Sequence, residues 1–295
     1  MLDQVKKFFL KFLKIILAIH IVLIAVIFFL SVLYSFINPP FTSLMVYRSV
    51  FYHHKIKPVR YVSLKKIPNE VVRMVVMSED NTFYKHMGVE ISAMQEAYKK
   101  NRKLGYNMYG GSTIPQQLAR SLFLFPKKWL IRKYIEIIIA LEMDLFMSKK
   151  RIMELYLNYI EWGKGIYGIG SASYYYYGRA PSRLSKSEMV NLITILPNPL
   201  RYSPYDSGEN KALKERFDML MGRFIASTHS SADLSLPNNT NISQTNFIVD
   251  DSALSNTEMP TVTNLISNDL IYSGSNQYIS NKTLDETIPD EEELR

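Results

Sequence analysis

An uncharged run from Ile15 to Ile37 constrains this chain more than any other feature. At helical rise it is long enough to cross a bilayer hydrocarbon core of about 30 Å, so it is read as one transmembrane helix. Lys6, Lys7, Lys11 and Lys14 precede it. By the positive-inside tendency they place the N-terminus in the cytoplasm and the remainder of the chain outside. Residues 31–40 offer no convincing small-residue cleavage site, which makes the segment an uncleaved signal anchor in expectation. His20 within the run is read as a weakly polar group facing a neighbour rather than as a proton relay.

At 295 residues, with 47% hydrophobic and 21% charged content, the whole chain fits one globular domain plus a membrane segment. The formal charge of +8 asks for an anionic partner, whether nucleic acid, a lipid surface or a phosphorylated substrate. Nucleic acid is set aside, because the charge falls on the non-cytoplasmic side of the anchor. The absence of cysteine excludes disulfides and thiolate metal sites. His53 and His54 do not have the spacing of metal ligands on one helix face, and no His-Glu-x-x-His pattern occurs, so a zinc site is not expected.

Residues 38–67 carry Arg48, His53, His54, Lys55, Lys57, Arg60, Lys65 and Lys66. They read as a solvated, partly extended juxtamembrane linker whose charges stay near anionic headgroups. From Asn69 to Met77 the pattern turns helical and delivers Glu79 at a helix end, and a more polar helix follows from Val89 to Leu104. Thr113 is placed as the N-cap of the next helix, with Pro115 in the first turn and Gln116 in the capping-box position. On that helix Ile114, Leu118, Leu122 and Phe125 share one face, while Thr113, Gln116, Gln117 and Arg120 share the other. The polar face, beside free N–H groups at a helix start, suits a phosphate or a sugar, although ordinary solvation explains such a face equally well.

Residues 127–160 are rich in helix formers. Arg132 and Glu136 stand one turn apart, which alone is an ordinary intrahelical pair. Glu136 lies among Tyr134, Ile135, Ile137, Ile138 and Ile139, however, where an inward carboxylate is costly without a partner. Ser148 separates this helix from one carrying Glu154, Tyr156 and Asn158, and Gly163, Gly165, Gly168 and Gly170 then break regularity. The tyrosines from Tyr174 to Tyr177 are assigned mainly to packing rather than to a sugar platform. Ser185 and Glu188 predict a capping box for a helix reaching Leu196, and a last helix is expected over Gly208 to Ala226. From residue 227 to 295 the chain shifts to Ser, Asn, Thr and Asp and ends in an acidic run, the composition of a disordered tail.

Five stretches in order carry a resemblance. They are Glu-Asp-x-x-Phe-x-x-His-x-Gly from Glu79 to Gly88, Gly-Ser-Thr-Ile-x-Gln-Gln-Leu from Gly111 to Leu118, Arg-Lys-x-x-Glu from Arg132 to Glu136, Lys-x-x-Ile-x-Glu-x-Tyr-Leu-Asn from Lys149 to Asn158, and Gly-x-Gly-x-Tyr-Gly from Gly163 to Gly168. Together, over about residues 68–205, they resemble the five motifs of the peptidoglycan glycosyltransferases, which polymerise lipid II. The resemblance implies a mainly α, lysozyme-like domain over 68–226, behind a basic N-terminus (1–14) and the anchor (15–37). It also implies a cleft beside a membrane-dipping jaw. Glu79 matches the general base that takes a proton from the acceptor sugar's 4-hydroxyl as that oxygen attacks C1 of the lipid-linked donor. The anomeric centre inverts and polyprenyl diphosphate leaves. Arg120, Lys128, Arg132 and Lys133 are the candidate cations for the diphosphate, and Glu136 is the second family glutamate, orienting those cations or assisting at the donor. Ser112, Thr113, Gln116 and Gln117 are expected to hold sugar or phosphate, Asn158 to shape the wall, and Asp80, Phe83 and His86 to belong to the site as supports of Glu79.

Departures from the family pattern are Arg120-Ser121, where lysine then asparagine is usual, and Lys128, where arginine is commoner. Both keep a cation but change the donor geometry. The implied location is the bacterial inner membrane, with lipid II, the growing strand and membrane lipids as partners and cell-division or elongation proteins as further candidates. No cofactor is required, and a divalent cation at the diphosphate is an optional assistant. No Lys-Thr-Gly occurs, so a monofunctional enzyme is expected rather than one with a transpeptidase domain. A lysozyme-like glycan-cleaving enzyme and an inactive membrane scaffold remain as alternatives.

Overall fold

The computed structural model describes residues 2–104, 110–127, 130–208 and 210–230. Among them are ten α-helices and one two-stranded hairpin. Of the disordered tail expected over 227–295, residues 227–230 instead continue the last helix, and residues 231–295 lie outside the described residues, as does Lys128.

Helix α1 (Leu2–Phe36) is continuous, so Lys6, Lys7, Lys11 and Lys14 lie on its first turns instead of in a separate leader. It is long and apolar enough to cross a membrane. Phe8, Leu17, Val22 and Phe29 stay exposed along it, as a lipid-facing helix requires. Its C-terminal part meets the domain, with the Phe28 ring edge-on to Phe146 at 4.8 Å. The last carbonyls of a helix have no intrahelical partner. Here Arg151 supplies one, donating through Nε to the Tyr34 carbonyl at 2.8 Å and through Nη2 to that of Ile37 at 2.6 Å. His20 makes a local contact, its Nδ1 lying 2.8 Å from the Ile16 carbonyl one turn back.

The solvated linker expected over 38–67 is instead largely bound to the domain. Thr42 caps helix α2 (Ser43–Tyr52) by accepting from the Met45 N–H at 3.1 Å, and His53 ends it in the left-handed region at φ 51°. Arg48 and His54 are buried, and Arg48 pairs with Glu161 at 3.4 Å. The chain then runs extended, a conformation that leaves its own N–H groups unpartnered. The domain takes them up: the N–H groups of Lys57, Arg60, Val62 and Leu64 donate to the Gly165 carbonyl, Ser171 Oγ, Asn158 Oδ1 and Glu154 Oε1 at 2.8–3.1 Å. Gly170 is what permits this approach, since a Cβ there would lie 2.1 Å from the Arg60 carbonyl oxygen.

The core forms where the apolar faces of four helices converge. Helix α3 (Asn69–Glu79) buries Val71, Val72, Met74 and Val75, and the more polar α4 (Ile91–Leu104) follows it. Helix α5 (Ile114–Phe123) buries Ile114, Leu118 and Leu122 as its spacing predicts. Phe125 does not belong to that face: the helix stops at Phe123, and the exposed Phe125 ring meets Tyr47 at 5.6 Å. Helix α6 (Leu130–Phe146) adds Ile139, Ala140 and Met143, and α7 (Lys149–Tyr159), capped by Ser148, adds Ile152, Met153, Leu155 and Tyr156. The glycine-rich stretch folds into an antiparallel hairpin of β1 (Glu161–Gly163) and β2 (Ile166–Tyr167), with Gly165 turning at φ +71°.

Helices α8 (Ile169–Tyr177), α9 (Lys186–Thr194) and α10 (Lys211–Ser230) complete the domain. Ser185 and Glu188 form the expected capping box, but α9 ends at Thr194, short of Leu196. Helix α10 begins at Lys211, after a 3-10 turn over Asp206–Gly208. Of the four tyrosines, Tyr176 and Tyr177 are half-buried, while Tyr174 and Tyr175 stay exposed under the cations of Arg60 and Lys57 at 4.3 and 4.6 Å.

Asn158 does not shape a cleft wall. It is fully buried and uses both ends of its amide on backbone, accepting from the Val62 N–H at 2.8 Å and donating to the carbonyls of Val62 at 2.9 Å and Glu154 at 2.8 Å. Asn158→Ala leaves those groups unpaired and is expected to destabilise the protein by roughly 1–3 kcal/mol. Denaturant unfolding of the detergent-solubilised protein measures this, and an unchanged midpoint would show that the extended segment is held elsewhere.

Candidate active site

Glu79 is the last residue of α3, and what fixes it is the residue after it. Asp80 ends the helix and turns its carboxylate toward the start of α5, where Oδ2 accepts from the Ile114 N–H at 2.9 Å. A carboxylate at a helix N-terminus satisfies an orphan donor and meets the positive end of the dipole. His86 Nε2 bridges both Asp80 oxygens at 2.9 and 3.0 Å. Lys149 in turn donates to the His86 carbonyl at 2.6 Å and lies over the Phe83 ring at 4.9 Å. Asp80, Phe83 and His86 are all buried, so they form the floor that carries Glu79.

The start of α5 carries the predicted capping box. Thr113 Oγ1 accepts from the Gln116 N–H at 3.3 Å and donates to the Gly88 carbonyl at 2.6 Å, and Gln116 Oε1 accepts from the Thr113 N–H at 3.0 Å. This overturns the placing of Thr113 and Gln116 on an open polar face. Both are buried, and their hydrogen-bonding capacity is spent on the cap and its neighbours.

Gln117 is the residue of that face that reaches the site. Its Nε2 lies 3.4 Å from Glu79 Oε2 and 3.4 Å from the Ser112 carbonyl, and its Oε1 accepts from the Tyr156 hydroxyl at 3.0 Å. Burial, and then the nearby Glu79 carboxylate, push the Tyr156 hydroxyl well above the usual tyrosine range, so it stays a neutral donor. A donor there fixes which end of the Gln117 amide faces Glu79. Arg120, one turn further along α5, is half-buried and close enough for its charge to act on Tyr156.

Glu136 is fully buried and doubly paired. Arg132 Nη1 donates to its Oε2 at 2.7 Å and Lys133 Nζ to its Oε1 at 2.7 Å. Lys133 also donates to Ser112 Oγ at 2.8 Å. An unbroken series of polar contacts therefore runs from Glu79 through Gln117 and Ser112 to Lys133 and Glu136. Leu130, Ile131 and Tyr134, which flank the two cations in sequence, are 92%, 67% and 51% exposed. The basic end of the site thus opens beside an apolar surface.

The sequence reading missed Arg216. It lies on α10, with Nη2 2.9 Å from Glu79 Oε1 and Nε donating to the Thr194 carbonyl at 3.2 Å. Nothing local to Arg216 signals a partner so far away in the chain. Among the described residues no group of three or more His, Cys, Asp and Glu side chains is arranged to hold a metal ion.

Residues 49–224 match the transglycosylase family. The chain belongs to that family. The domain is thereby a lysozyme-like helical glycosyltransferase. It is similar to the biosynthetic peptidoglycan transglycosylase of Caulobacter vibrioides, 36% identical over 206 residues that cover 69% of this chain and 87% of that protein. The protein of the same name from Aromatoleum aromaticum is 41% identical over 180 residues, covering 60% and 78%. That from Janthinobacterium sp. is 41% identical over 165 residues, covering 56% and 70%. The family match is wider than the five motifs: it takes in the bound segment before α3 and Arg216 on α10.

The pairing of Glu136 has a measurable consequence. Removing one partner of a buried ion pair leaves charge uncompensated and costs roughly 3–5 kcal/mol, whereas replacing both by apolar groups costs far less. Because Lys133 still pairs with Glu136, Arg132→Met is expected to destabilise the protein by less than that full cost, and the same change in a Glu136→Leu background by less again. Additive effects in this double-mutant cycle would show that the two side chains act independently.

Proposed function

We propose that this protein is a peptidoglycan glycosyltransferase that polymerises lipid II on the outer face of the bacterial inner membrane, releasing polyprenyl diphosphate. The observation that carries the reading is the placement of Glu79. Its carboxylate ends α3 in one series of polar contacts that runs through Gln117 and Ser112 to Lys133, Glu136 and Arg132. The family membership and the name of the relatives, biosynthetic peptidoglycan transglycosylase, support the same substrate class.

In this scheme Glu79 Oε2 receives the proton of the acceptor's 4-hydroxyl as that oxygen attacks C1 of the donor. The C1–O bond to the diphosphate breaks with its electron pair, and the configuration at C1 inverts. A base must stand within hydrogen-bond reach of the hydroxyl, and charge building on the leaving oxygens must meet fixed cations. Lys133, Arg132 and Arg120 fill the second role, and their guanidinium and ammonium groups suit phosphate. The scheme requires no divalent ion, and one at the diphosphate would add positive charge to the same end of the site.

The exposed Leu130, Ile131 and Tyr134 beside those cations, together with α1, support a substrate that keeps its lipid in the bilayer while its diphosphate reaches the site. A glycan-cleaving enzyme has no use for that cationic, membrane-side end.

The test uses purified full-length protein with lipid II. Glu79→Gln is expected to lower polymer formation by about two to four orders of magnitude with little change in thermal stability. Shortening of preformed glycan in place of polymer would overturn the reading in favour of cleavage, and binding without turnover by the unmodified protein would favour a scaffold.

A further inference from the structure

Arg216 lies outside all five sequence motifs, yet it makes the shortest contact recorded for the Glu79 carboxylate, 2.9 Å between Nη2 and Oε1. The Ser78 hydroxyl donates to the same oxygen at 3.2 Å, and the Gln117 amide approaches the other at 3.4 Å. The Glu79 side chain is 11% exposed and that of Arg216 is 26% exposed. A carboxylate so far removed from water needs a compensating charge.

The guanidinium is itself held at both ends, since its Nε donates to the Thr194 carbonyl at the end of α9. Helix α10 sets its phase by burying Leu213, Leu220 and Phe224, which places Arg216 between the first two on the side that meets α9 and α3. Arginine suits this task better than lysine: a planar fork can bond a carbonyl and a carboxylate at once in fixed directions, and an ammonium cannot.

We propose that Arg216 is a positioning residue for the base, acting through Glu79. By occupying Oε1 it sets the plane of the carboxylate, so that Oε2, beside Gln117, is the oxygen presented to the acceptor hydroxyl. It also balances the Glu79 charge locally, which leaves Lys133 and Arg132 to Glu136 and the substrate. This inference rests on the glycosyltransferase reading given above.

Steady-state kinetics of the full-length protein with lipid II test it. Arg216→Ala is expected to lower kcat by about 10–100-fold, the scale of a base displaced by an ångström, with KM changed less than about threefold. Millimolar guanidinium chloride is expected to restore part of the kcat of Arg216→Ala and none of that of Glu79→Gln. Arg216→Lys should recover activity only in part, and it carries the same kcat and KM comparison if Arg216→Ala does not fold. An unchanged kcat overturns the proposal. So does a rise in KM alone, which would make Arg216 a substrate contact, or a loss of kcat that guanidinium leaves untouched alongside a lowered melting temperature, which would make it a brace. If Glu79→Gln keeps its activity the glycosyltransferase scheme itself falls, whereas an inactive Glu79→Gln beside a fully active Arg216→Ala removes this inference alone.

Discussion

The hydrogen bond from the Ile114 N–H to Asp80 is the constraint on which the site depends. It joins the last turn of one helix to the first turn of another across a long stretch of chain, and it does so with a buried charge. Such a charge is tolerable only when its lone pairs are used. His86 and the helix start use them, and Lys149 holds His86 by its carbonyl. With Asp80 fixed, the neighbouring Glu79 has little freedom except to face Gln117. The acidic pair at the end of α3 divides its labour: one carboxylate builds the joint and the other meets Gln117 and Arg216.

A second joint works in the same way at the membrane side. The extended segment before α3 has no sheet of its own and takes its hydrogen bonds from α7, the hairpin and α8. Arg151 then satisfies the carbonyls at the end of α1. One face of α7 therefore secures both the anchor and the segment that follows it, while its Tyr156 orients Gln117 in the site. The distance from membrane to site is set by packed and hydrogen-bonded structure, which a floppy linker would not provide.

What could be read from the sequence was local. The capping boxes at Thr113 and Ser185, the end of α3 at Glu79 and the need of Glu136 for partners all follow from residues within one helical turn of each other. Contacts between distant segments were hidden. Thr113, Gln116 and Asn158 are polar residues whose partners are mostly backbone groups, and sequence patterns treat such residues as available for ligands. His53, Lys55, Lys57, Arg60, Lys65 and Lys66 stay exposed as the sequence suggests, but no periodicity marks the extended backbone between them, whose hydrogen bonds are made by other elements. Arg216 pairs with Glu79 across most of the domain, and only the packing phase of α10 brings it there.

The arrangement of charge explains why the two glutamates do not compete. Lys133 and Arg132 are both within 2.7 Å of Glu136, and Arg216 is 2.9 Å from Glu79, so each carboxylate has its own compensation. Between them stand a neutral amide and a hydroxyl, those of Gln117 and Ser112. Were Glu79 uncompensated, the nearest cations would be drawn toward it and away from Glu136. A neutral spacer with a compensated carboxylate at each end keeps the two charge pairs apart. The proposed reaction removes a proton at one point while negative charge grows at another, and a separation of this kind supports that proposal.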